Sequence, residues 1–131
     1  MVMFVPNPIT GPADTFQTAS GISNVDGGAV FACSGTLTNY PLASQGGVSD
    51  ISTLAFSSGT VTPAESGDLI VAGFAANCET GVPFSASIDS GFSTVVANCG
   101  PSSAAGAAYL VAPSTIPVSP AWSLAGDPIA D

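Results

Sequence analysis

Carboxylates are the side chains of this sequence with the widest range of chemistry, since its 131 residues include nine Asp and Glu but no Lys, Arg or His. Two carboxylates can hydrolyse a glycoside when their pKa values differ and a fixed distance separates them. Here the acids are scattered singly through turn-like segments, where a carboxylate hydrogen-bonds the turning backbone. We therefore expect no catalytic residues and no enzyme activity.

Calcium is the metal that such turns suit best, because it takes carboxylate and carbonyl oxygens. The candidate ligands are Asp26, with Asn24 beside it, and the pair Glu65 and Asp68. Neither turn has the Asp-rich loop of an EF-hand or a Gly-Asp repeat. We expect turn hydrogen bonding as their main role, and we expect no cofactor.

The three cysteines, Cys33, Cys78 and Cys99, are the next candidates for chemistry. Cys78 and Cys99 each follow an asparagine at the end of a strand-like run, which favours a disulfide between them, with Cys33 as the alternative partner of either. A cysteine nucleophile needs a base or cation to lower its pKa, and the chain offers neither. The odd thiol is expected to be buried or to bond another subunit.

The missing basic residues exclude several functions. Binding to DNA or RNA depends largely on Lys and Arg, and attraction to anionic lipid also needs them. A Ser-His-Asp triad and a lysine Schiff base are impossible, and trypsin has nothing to cut. The first nine residues lack the positive charge of a signal peptide, and the apolar runs are too short to span a bilayer.

Ten aromatic residues remain. Most of them lie within strand-like runs, which favours a place in the core. Modules that bind sugars stack the rings on exposed Trp or Tyr. Tyr109 and Trp122 are therefore the candidate platform for a glycan ligand.

The elements that must position these residues are strands. Gly and Pro recur throughout, and no long stretch has apolar residues at helical spacing. Even the Ala-rich segment 102–112 fits a strand. Short β-type runs alternate with turn residues, and we predict strands at 2–5, 28–34, 51–57, 68–77, 84–88, 93–99, 107–111 and 121–124, with weaker candidates at 17–22 and 36–39.

This pattern is typical of an all-β fold, a single β-sandwich or jelly-roll-like domain over residues 13–131. Residues 68–77 are apolar on both faces, which predicts a central strand or one covered by a neighbouring subunit. Residues 1–12 precede the domain as an extended arm or edge strand. The apolar part of this arm is Met1, Val2, Met3, Phe4 and Val5, and the following prolines prevent its continuation as a central strand.

Several short motifs lie between residues 51 and 124: TLAF at 53–56, AESGDLIVA at 64–72, AAYLV at 107–111 and PAWSL at 120–124. In these motifs the chain resembles a β-sandwich module of secreted and surface proteins of bacteria. The resemblance implies an extracellular, non-enzymatic domain and brings no catalytic residues with it.

These observations favour a non-enzymatic structural subunit of an extracellular or cell-surface assembly, such as a filament, a pilus-like fibre, a sheath or a virion surface. Copies of the chain would be its partners, held by strand addition from the arm and by apolar packing. The alternative is a carbohydrate-binding or adhesin-type β-sandwich module with a glycan as partner. Neither hypothesis involves nucleic acid or membrane insertion.

Overall fold

The computed structural model describes residues 53–78, 83–100 and 103–126. Within these ranges the regular elements are six strands, with no helix. The all-β prediction is therefore confirmed for this part of the chain. The strands are β1 (Ala55–Ser57), β2 (Leu69–Asn77), β3 (Ser85–Ile88), β4 (Ser93–Cys99), β5 (Ser103–Val111) and β6 (Ala121–Ala125).

The strands form two antiparallel three-stranded sheets, one in the order β1-β6-β3 and the other in the order β2-β5-β4. Of these strands, only β4 and β5 are neighbours both in the chain and in a sheet. Most pairing therefore joins segments that are distant in sequence. Val61 and Val118 add an isolated antiparallel bridge between the long connections.

A tight turn leads from β3 in one sheet to β4 in the other. Ser90 and Gly91 both have positive φ, 58° and 80°, and the Phe92 N–H donates to the Asp89 carbonyl at 3.3 Å. Two adjacent residues with positive φ are typical of a type I′ turn. The sequence predicted strands at 84–88 and 93–99 with turn residues between them, but these two strands belong to different sheets.

Aromatic rings join the two sheets. Phe74 of β2 lies 4.8 Å from Trp122 of β6 and 5.9 Å from Phe56 of β1, both measured between ring centroids and both in edge-to-face geometry. Trp122 and Ala108 are completely buried, and Ala72 beside them is buried as well. The core therefore lies where Phe74 meets the β1-β6-β3 sheet.

The central strand β5 is rich in alanine because a ring lies over it. Gly106 is the cross-strand partner of Phe74, and a Cβ atom at this glycine would overlap the Phe74 ring. Small residues in β5 thus make room for the large ring of β2. The Ala-rich segment forms a strand from Ser103 to Val111, which begins four residues earlier than the predicted start at residue 107.

The prediction that residues 68–77 form a central strand is not met among the described strands, where β5 is central and β2 has a neighbour on one side. One face of β2 is buried and the other is exposed. What the structure explains is the pairing with β5, because the Phe74 ring needs a small cross-strand partner and Gly106 supplies it. Coverage by a neighbouring subunit remains a prediction.

Several predictions concern residues outside the described ranges. They are the arm at residues 1–12, its boundary with the domain, and the strands at 2–5, 17–22, 28–34 and 36–39. The finer assignment as a sandwich or jelly roll also stays a prediction.

Candidate functional site

The predicted disulfide is present. Cys78 and Cys99 are bonded, with their Cα atoms 5.9 Å apart. Cys78 directly follows β2, and Cys99 ends β4. The bridge therefore joins the two strands that flank β5, at the end of the sheet where β5 begins. Cys33 lies outside the described residues.

The bridge closes a covalent ring that passes through both sheets. Between the two cysteines the chain forms β3, which pairs with β6 in the other sheet, and then returns as β4. The disulfide thus limits the separation of the sheets as well as of the strands that it joins. Disulfides persist in oxidising compartments, so the bridge fits the predicted extracellular location.

Tyr109 and Trp122 do not form the predicted platform for a glycan. Trp122 is 0% exposed, because its ring packs against Phe74 in the core, whereas Tyr109 is 38% exposed on β5 of the other sheet. A buried ring offers no face to a sugar. The sequence alone could not separate the two, since both residues lie in apolar strand-like runs.

Asp68 shapes the turn before β2. Its Oδ2 accepts hydrogen bonds from the N–H groups of Ala64 at 2.7 Å and Glu65 at 3.1 Å. An oxygen facing two N–H dipoles is poorly placed to bind a cation. Among the residues that the structure describes, no three carboxylates or thiols cluster as metal ligands. Asp26, the other calcium candidate, lies outside the described residues.

Asp89 connects the turn between β3 and β4 to the start of β6 by hydrogen bonds. Its Oδ1 accepts the Ala121 N–H at 2.8 Å and the Ser90 hydroxyl at 2.9 Å, and its own N–H donates to the Ala121 carbonyl at 3.1 Å. The hydrogen bond from the Ala121 backbone, followed by that from Ser90, lowers the pKa of the Asp89 carboxyl below its ordinary value.

We expect the stability from Asp89 to depend on pH. A carboxyl whose pKa falls on folding contributes stability above its unfolded pKa of about 4, and that contribution is lost as the pH falls through the lowered folded value. Urea denaturation at pH 7 and pH 3 should show that Asp89→Asn loses slightly less stability than the wild type on acidification. Equal losses in the two proteins would contradict this role.

The edge of β2 that pairs with no other described strand is the candidate site for assembly. β2 has nine residues in unbroken register with β5, and it contains no charged residue and no proline. Of the other strands at the edges of the described sheets, β1 and β3 are short, with three and four residues, and the register of β4 is irregular between Thr94 and Val96. A long, regular, uncharged edge is the type that accepts a further strand.

An exposed apolar face adjoins this edge. Val71 of β2 lies opposite Tyr109 of β5, each 38% exposed, and Val111 at the end of β5 is 56% exposed. The sequence did not identify Val111 or Val96 as part of a site. Residues 68–77 are apolar on both faces, and this sequence pattern could have predicted the surface.

Within the described residues no helix is long and apolar enough to cross a membrane. Comparison of the chain with protein-family models, with curated proteins and with solved structures gives no match.

Proposed function

We propose that this protein is a non-enzymatic structural subunit of an extracellular assembly, in which copies of the chain join by strand addition and apolar packing. The observation that carries the proposal is the edge of β2 that pairs with no other described strand, with nine residues, regular pairing with β5 on its other side and no charge, proline or bulge. Sheet proteins ordinarily block such an edge, most often with lysine, and this chain has none.

The donor strand in this proposal is the arm of a second copy, Met1 to Val5. An added strand contributes backbone hydrogen bonds, and its alternate side chains enter the acceptor. Each large apolar side chain that is buried contributes about 1.5–3 kcal/mol. Pro6 and Pro8 end the segment that can pair, which suits a short arm followed by a separate domain.

The extracellular part of the proposal is supported by the Cys78–Cys99 bridge, since disulfides are rare where thiols are kept reduced. The described residues also arrange their two sheets around a buried aromatic core, as expected for a β-sandwich. We include that architecture, with the arm outside it, in the proposal.

The test changes the arm in the full chain. Phe4→Asp places a charge among the apolar residues of the arm, so we expect assembly to fall by at least tenfold in light scattering and filaments to disappear from electron micrographs. Asn7→Asp is the matched control, because it adds the same charge between the two prolines, and it should assemble like the wild type.

The acceptor edge is tested separately with lysine. Ala75→Lys adds a charge at an exposed position of β2, whereas Ala55→Lys adds it at an exposed position of the short strand β1. Only the first should impair assembly. If the wild-type chain remains monomeric at all accessible concentrations, or if Phe4→Asp assembles normally, strand donation is wrong.

A further inference from the structure

We propose that the Cys78–Cys99 bridge is a redox switch for assembly, because the edge of β2 becomes a complete acceptor only when the bridge has formed. This inference rests on the proposed function and names the regulation of the same site. An open, uncharged edge is a hazard wherever thiols are kept reduced and the chain must stay separate from its copies. A bridge that completes the edge in an oxidising compartment would delay assembly until the chain is outside the cell.

The side chains that anchor β2 belong to its first six residues. Ile70 and Ala72 are the buried side chains of this strand, and the ring of Phe74 packs into the aromatic core. Residues 75–77, the end of the strand, carry only small or polar side chains, and they pair with small residues at 103–105 of β5. Segments with few buried apolar contacts open most easily.

The two strands joined by the bridge differ in what else holds their ends beside β5. A short connection joins Cys99, the end of β4, to β5, and within it the Gly100 N–H donates to the Ser103 carbonyl at 2.8 Å. β2 is not consecutive with β5 in the chain, and Cys78, directly after β2, is buried. The bridge therefore holds this end of β2 in place. In the reduced chain we expect residues 75–77 to separate from β5, which shortens the acceptor edge by a third.

Formation of the bridge is a thiol–disulfide exchange. The thiols of Cys78 and Cys99 react with the disulfide of a small oxidant such as oxidised glutathione. One S–S bond forms in the chain and one breaks in the oxidant, and the two protons and two electrons of the chain's thiols leave with the oxidant as two small thiols. A dithiol reductant reverses the reaction and itself becomes a cyclic disulfide, so the switch is reversible.

The test uses the full chain with Cys33→Ala, so that only the two bridging cysteines respond and no bond through Cys33 joins subunits. This chain is compared in oxidised glutathione and in dithiothreitol, with circular dichroism to follow folding and light scattering to follow assembly. We expect reduction to lower assembly at least fivefold and reoxidation to restore it. The triple variant that adds Cys78→Ala and Cys99→Ala is the matched control, and it should assemble as weakly as the reduced chain in both reagents.

Amide hydrogen exchange, measured by mass spectrometry of overlapping peptides below the concentration of assembly, locates the change within β2. Residues 69–72 and 75–77 should exchange at similar rates in the oxidised chain, and reduction should make 75–77 exchange at least tenfold faster than 69–72. Equal rates in the reduced chain, or a difference as large in the oxidised chain, overturn the inference. Equal assembly in the two reagents also overturns it but leaves strand donation intact, whereas an oxidised chain that does not assemble contradicts the proposed function itself.

Discussion

Replacement of Trp122 by alanine is expected to lower the free energy of unfolding by about 3–5 kcal/mol, the usual cost of removing a buried aromatic side chain. Trp122 is completely buried, and its ring contacts Phe74 of the other sheet at 4.8 Å. Its loss removes a contact between the two sheets and leaves a cavity. Urea denaturation followed by far-ultraviolet circular dichroism measures the change.

Trp122→Phe is the control for this prediction. Among the described residues the buried indole N–H of Trp122 has no hydrogen-bond partner, and burial of such a donor costs about 1–3 kcal/mol. Phenylalanine removes that unfavourable group while it retains a ring against Phe74, so it should destabilise the protein much less than alanine. Equal losses for the two variants would show that the contact between rings contributes nothing.

Removal of the Cys78–Cys99 bridge has the second large expected effect. For a loop of about 20 residues, the chain-entropy estimate gives roughly 3 kcal/mol. Because the ring between the cysteines includes β3 of the other sheet, we expect the double variant Cys78→Ala, Cys99→Ala to lose cooperativity between the sheets as well as stability. Urea denaturation with two probes, Trp122 fluorescence and circular dichroism, tests both expectations.

Cys33→Ala is the matched control for the bridge. It removes the third cysteine but leaves the disulfide intact, so it should lower the midpoint in oxidising buffer much less than the double variant does. A reductant should lower the stability of the wild type and leave that of the double variant unchanged. A double variant as stable as the wild type would contradict the structural role of the bridge.

Local patterns predicted the strands of the described region well, because turn residues and β-branched runs act over short distances. The turn at Asp89 and the strand at residues 93–99 were predicted at the right residues. The pairing of Cys78 with Cys99 was favoured because both thiols end strands in the same context. The partners of each strand were beyond prediction, since three of the four strand pairings join strands that are not consecutive in the chain.

The candidate site could not be predicted either, because it is defined by the strands that pair with β2. Residues 69–77 are apolar on both faces, and this pattern does not distinguish a central strand from an edge strand with an exposed apolar face. Tyr109 and Trp122 likewise occur in similar apolar runs, yet one is partly exposed and the other is completely buried. In both cases, which side chains are exposed depends on the sheet that each strand joins and on its place in that sheet.

By itself the sequence determined the chemistry that this protein lacks and the type of element that it forms. A chain without Lys, Arg or His has no imidazole base and no cation for phosphate, and its strands follow from local composition. The tertiary structure alone decided that β5 is central, that the edge of β2 is open among the described strands, and that Val111 is exposed while Trp122 is buried. The physical reason is the fit between residues distant in the chain, above all the Phe74 ring, which requires the space that Gly106 leaves in β5.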